Sequence, residues 1–131
     1  MNQSLGNISI LVRDYDEAIA YYTNVLKFQL LEDTELSPIK RWVRVAPQGK
    51  SSGTALLLAK ASTPEQEKQI GYQTGGRVFL FLYTDNIERD YQNLIDNSVK
   101  IIRPLEDQPW GKVTVFADLY GNLWDLIESN K

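Results

Sequence analysis

The chain has 131 residues, one domain by length, enough to bury about two thirds of its unfolded surface. It is 43% hydrophobic and 24% charged, as globular proteins are, and no apolar run approaches the roughly 18 residues a membrane span needs. A formal charge of -3 offers no clustered positive field for nucleic-acid phosphate, while zero cysteines and zero histidines exclude disulfides, thiolate or imidazole metal sites, thiol nucleophiles and histidine acid–base catalysis.

Taken in chain order, Asn7 to Val12 alternates and is rich in β-branched residues. This predicts a strand with Ile8, Ile10 and Val12 on one face and Asn7, Ser9 and Leu11 on the other. Asp14 is placed to cap a helix, with Glu17 reaching back to the cap amide. Ala18, Tyr22, Val25 and Leu26 follow at helical spacing, with Tyr22 rather than Tyr21 inside. Strands are expected over Phe28 to Asp33, Arg41 to Ala46 and Thr54 to Ala59, separated by the Ser37-Pro38 turn and a Gly- and Ser-rich turn at 48–53. Thr63 and Pro64 then open a short helix inside a polar linker, 61–76.

The second half starts the same order again. Strand Val78 to Thr84 leads to Asp85-Asn86-Ile87-Glu88, which resembles Asp14 to Glu17, and to a helix stripe of Ile87, Tyr91, Leu94 and Ile95. Strands Val99 to Arg103, Lys112 to Phe116 and Asn122 to Ile127 complete it. A β-α-β-β-β unit used twice, about 70 residues apart, is the signature of a duplicated structural unit. The aromatic set Phe79, Phe81 and Tyr83 is expected in the core beneath the helices. Thr74-Gly75-Gly76-Arg77 precedes a strand and reads as a turn rather than a phosphate loop. Glu106 and Asp107 are expected in a solvated, Pro-bounded loop.

Three segments, LVRDYDEAIAYYTNVLKFQL, TGGRVFLFLYTDNIERDY and PWGKVTVFADLYGNLWDL, resemble the vicinal oxygen chelate superfamily of glyoxalase I, bleomycin-resistance proteins and extradiol dioxygenases. The resemblance implies an α+β fold of two βαβββ modules (about 5–60 and 77–129, joined by the 61–76 linker) forming a curved, cup-like mixed sheet with helices outside, in one domain spanning 1–131. It also implies a homodimer, with modules paired within one chain or exchanged between two. The family's metal centre takes one ligand from the opening and closing strand of each module. Those positions fall on Asn7, on Ala55 or Leu57, on Val78 and on Asp125, a set too poor in hard donors for an ordinary divalent site.

Asp125, lying between Trp124 and Leu126 in the last strand, is therefore the candidate catalytic or ligand-positioning group. Asn7, Ser9, Leu57, Val78 and Leu80 are expected beside it in the cavity. An unpartnered carboxylate there must be protonated, hydrated or paired, and Arg41, Arg44, Arg77 or a cationic ligand are the possible partners. Strand 41–45 presents either Trp42 with Arg44 or Arg41 with Val43 and Val45 to the concave side; Trp beside Arg suits a flat or anionic ligand. Trp110 is expected at the cavity rim.

The reading is a cytoplasmic small-molecule-binding protein of the glyoxalase/bleomycin-resistance type, without metal or other cofactor and without nucleic-acid or membrane partners. The alternative is a lyase or isomerase using Asp125 as a base, or a nonstandard oxygen-ligated divalent metal.

Overall fold

A computed structural model of the chain describes residues 1–49 and 53–130. The centre of the predicted 48–53 turn, Lys50 to Ser52, lies outside the described residues. Two compact units are present, Met1–Ile70 and Gly71–Lys131, and both are built alike.

In the first unit, β1 (Asn7–Val12), α1 (Tyr15–Ala20), β2 (Gln29–Ser37), β3 (Lys40–Ala46), β4 (Ala55–Lys60) and α2 (Pro64–Gln69) follow one another. The strands form a mixed sheet of order β1-β4-β3-β2, with β1 and β4 parallel and the other pairs antiparallel. Asp14 caps α1 by accepting from the Glu17 amide at 2.8 Å, as expected. The Glu17 carboxylate pairs with Arg13 one turn earlier at 3.0 Å. Past Ala20 the helix widens into a π-helical turn, Tyr21–Val25, and Lys27 then adopts φ 64 to release the chain into β2.

Tyr22 is fully buried and packs on Phe28 at 5.7 Å between ring centroids. Ile10, Val12, Ala18, Val43, Val45 and Leu58 join it in a core between α1 and one face of the sheet. Arg41 fastens that side: its guanidinium donates to Asp33 and Asp16 and lies 5.2 Å from the centre of the Tyr15 ring. Beside this cation the Asp33 carboxyl is held below the usual carboxylate range. Thr63 caps α2 through the Gln66 amide, and α2 buries none of its residues.

The second unit comprises β5 (Val78–Tyr83), α3 (Ile87–Asp96), β6 (Lys100–Gln108), β7 (Gly111–Ala117) and β8 (Leu123–Ser129), in sheet order β5-β8-β7-β6 with β5 and β8 parallel. Asn86, rather than Asp85, caps α3 by accepting from the Arg89 amide at 3.1 Å; Asp85 instead pairs with Arg89. Ile87 and Leu94 are buried, whereas Ile95, expected in the apolar stripe, is 45% exposed. The start of α3 is pinned to the sheet where Glu128 accepts from the Ile87 amide and Lys112 pairs with Glu88. Thr114, Phe116, Trp124 and Leu126 share the face on which Lys112 and Glu128 lie, so this is the helix-covered face.

Two expectations are corrected here. Phe81 and Tyr83 do not enter the core beneath α3: they are 58% and 68% exposed on the opposite face. The register between β5 and β8 slips after Val78, so Val78 pairs with Leu123 while Leu80 pairs with Trp124. One extra residue inverts the facing of everything after it. Finally, β6 runs on past Arg103 to Gln108, so Glu106 and Asp107 lie in a strand; Pro104 is accommodated because β6 is an edge strand and its register is already irregular there.

No helix among the described residues is long and apolar enough to cross a membrane.

Candidate functional site

Each sheet keeps one face free of helix, and the chemistry-bearing residues collect there. In the first unit Asn7 pairs with Ala55 and Ser9 with Leu57 across β1 and β4, and Leu57 pairs with Arg44 of β3. Trp42, two residues along, shares the face of Arg44, and Arg41, Val43 and Val45 point to the helix. The alternatives for strand 41–45 thus resolve in favour of Trp42 with Arg44. Asn7, Ser9, Trp42, Arg44 and Leu57 stand on one surface. There Arg44 donates from Nε to Asn7 Oδ1 at 2.9 Å and lies 3.6 Å from Glu32 of β2, so its charge is already answered within the sheet.

The second unit places Asp125 at the centre of its own helix-free face. Its neighbours are Phe81 on β5 and Val115 on β7, with Tyr83, Ile127 and Val113 one pair further on. Val78 shares this face through Leu123; Leu80 does not, because the slip after Val78 turns it toward Trp124. Desolvation by these apolar neighbours pushes the Asp125 carboxyl up from the usual aspartate value, and the field of Arg103 partly opposes it. Arg103 pairs with Val115 across β6 and β7, and its guanidinium is held 2.7 Å from Glu106. No hydrogen bond to the Asp125 carboxylate is present among the described residues. Trp110, 51% exposed, sits in the two-residue turn between β6 and β7, where its carbonyl accepts from the Asn130 amide at 3.0 Å.

Sequence reasoning missed Arg103, Phe81 and Tyr83 for this face. Strict alternation fails wherever a strand carries an extra residue, and β5 and β6 both do. It also missed the residue that shapes the strand behind Asp125. Asp118, 6% exposed, accepts from the amides of Tyr120 and Asn122, from Asn122 Nδ2 and from Trp124 Nε1, all at 3.0 to 3.2 Å. This knot orients Trp124 inward, and alternation then turns Asp125 outward. The Asp-Leu-Tyr-Gly-Asn turn was the readable signal, since Asp closes such turns onto its own downstream amides.

The four positions that the family resemblance assigns to a metal carry Asn7, Ala55 or Leu57, Val78 and Asp125. Within the first unit the amide oxygen of Asn7 is taken by a guanidinium, which repels a cation. No three Asp or Glu side chains gather to hold an ion among the described residues. This donor set does not fit a divalent metal of the usual kind.

Comparison with known proteins gives a consistent picture. Residues 4–126 match the family model of the Glyoxalase/Bleomycin resistance protein/Dioxygenase superfamily. An uncharacterized protein of Shewanella frigidimarina is 55% identical over 131 residues, covering 99% of this chain and 96% of its own. Among solved structures, a member of the same superfamily from Sphaerobacter thermophilus superposes with a TM-score of 0.81 at 30% identity, covering 98% of both chains. TnmS3, an antibiotic binding protein from a Streptomyces species, superposes with a TM-score of 0.79 at 27% identity over 98% of both chains.

Proposed function

This chain belongs to the glyoxalase/bleomycin resistance protein/dioxygenase superfamily, and from that premise we propose that it is a cytoplasmic, homodimeric small-molecule-binding protein that works without the family's metal. The observation that carries the reading is the occupancy of the inherited ligand positions: one carboxylate, two apolar residues and an amide whose oxygen Arg44 holds at 2.9 Å. What remains on the helix-free faces is mostly apolar and aromatic with a few placed polar groups, the usual make-up of a small-molecule site. The likeness to an antibiotic binding protein supports binding rather than turnover.

A second reading, a lyase or isomerase with Asp125 as general base, draws on the upward displacement of its carboxyl. The two separate in a screen of aromatic natural products and antibiotics by thermal shift, followed by mass spectrometry of each stabilising compound after incubation. Unchanged compound bound stoichiometrically to dimers is the expected result; conversion that stops with Asp125→Asn would transfer the protein to the enzyme class, and no stabilising compound would remove the binding reading.

A further inference from the structure

The helix-free face of the second unit joins features that ordinary folding keeps apart. Phe81 and Tyr83 are 58% and 68% exposed on the edge strand β5, where exposed aromatics are a liability. Directly across from Phe81 on β8 is Asp125. Val115 and Val113 of β7, both buried, continue the surface on the other side. A carboxylate is thus set between an aromatic wall and an aliphatic floor, with no hydrogen-bond donor among the described residues.

The cations on this face do not neutralise it. Arg103 is the described cation whose field reaches Asp125, and its guanidinium is committed to Glu106 at 2.7 Å. Lys100, the other basic residue of this strand, shares this face one pair beyond Arg103, opposite Ala117, and the field that reaches Asp125 comes from Arg103 rather than from it.

We propose that this face of the second module binds an organic cation with a flat aromatic body, the ring lying against Phe81 and Tyr83 and the ammonium or amidinium group meeting Asp125. The proposal rests on the small-molecule-binding reading and names its ligand class. Three effects act together on such a molecule. Aromatic faces attract cations through their quadrupole. A hydrogen bond between two ions is stronger than one between neutral groups, and the apolar flanks of Asp125 screen it less than water does. An anion is repelled by Asp125 at the centre of the face, where Arg103 is already paired with Glu106, and a neutral ring gains stacking alone.

Calorimetric titration of the full chain at neutral pH with three probes of one shape, naphthylmethylamine, naphthylmethanol and naphthoate, tests this. The ammonium is expected to bind roughly tenfold tighter than the alcohol, the increment of one charge-assisted hydrogen bond, and naphthoate most weakly. Asp125→Asn is expected to erase that preference while leaving the alcohol's affinity in place, and Phe81→Ala to weaken both alike; Asp125→Ser replaces the Asn variant should that one not fold. Equal or tighter binding of the alcohol or naphthoate, or a preference that survives both Asp125 variants, overturns the ligand class and leaves the binding reading standing. Failure of all three probes overturns the ligand class too, while the broader antibiotic screen decides the binding reading separately.

Discussion

Arg44 of β3 reaches over β4 to donate a hydrogen bond from Nε to Oδ1 of Asn7 on β1, at 2.9 Å. The position at which relatives would offer a metal ligand is spent instead on a link across three strands of one sheet.

Removing that link is expected to cost little stability. The Arg44 side chain is 25% exposed and Glu32, its other partner, 42%, so water replaces what Arg44→Ala deletes. A loss of about 1 kcal/mol follows for a partly solvated, charge-assisted contact, measured by urea denaturation at neutral pH. A loss several times larger would mean that Arg44 is a structural keystone and not a surface group of the site.

Asp125 predicts a pH dependence of definite sign. Burial raises its folded-state pKa above the ordinary 3.8, so the folded protein holds this proton more tightly than the unfolded chain does. The stabilisation is complete below 3.8 and is lost as pH rises through the folded value. Asp125→Asn is therefore expected to melt higher than the native protein at neutral pH, with the two curves converging in acid. The charged or titratable groups that face Asp125 are Tyr83 on β5 and Lys100, Arg103 and Glu106 on β6; β7 offers only Val113, Val115 and Ala117. Repeating the comparison in a Glu106→Gln background confines the readout to Asp125. A gap that widens in acid would contradict the assignment.

The Asp118 knot carries the largest expected loss. Asp118→Ala strands the buried donors of Asn122 and Trp124. Unsatisfied buried groups cost about 1–3 kcal/mol each, so a loss of about 3 kcal/mol or more is expected in chemical denaturation, with the indole of Trp124 becoming accessible to quenchers.

Gly71 is fixed by space as well as by torsion. Its φ is +77, and a Cβ there would lie 1.9 Å from the Tyr120 carbonyl oxygen, which no rotamer relieves because both partners are backbone. Gly71→Ala is expected to cost about 2 kcal/mol or more, the left-handed penalty of about 1–2 kcal/mol plus the displacement of the 118–122 turn. Thermal denaturation reads this directly.

How far the sequence revealed this arrangement depended on whether each strand kept its period. β1 alternates without interruption, so the facing of Ile10 and Val12 inward and of Asn7 and Ser9 outward was readable. The Asp14 and Thr63 caps were equally plain, since a short side chain that accepts an amide hydrogen bond does so locally. Phe81 and Tyr83 were not readable. A run of Val-Phe-Leu-Phe-Leu-Tyr is apolar at every position, so hydrophobicity gives no phase, and only the slip beside Val78 decides which half turns outward. Arg103 was hidden by two irregularities that flank it in β6. Asp125 itself was legible as an anomaly, a carboxylate among apolar neighbours. Its surroundings were not, because they come from strands distant in sequence.

The central claim is that binding here has outlived metal coordination. Inductively coupled plasma mass spectrometry after incubation with excess nickel, manganese, zinc and magnesium and removal of free ions tests it most directly. Far less than one metal ion per chain is expected, with native protein and Asp125→Ala indistinguishable. One ion per chain in the native protein that disappears with Asp125→Ala would contradict it.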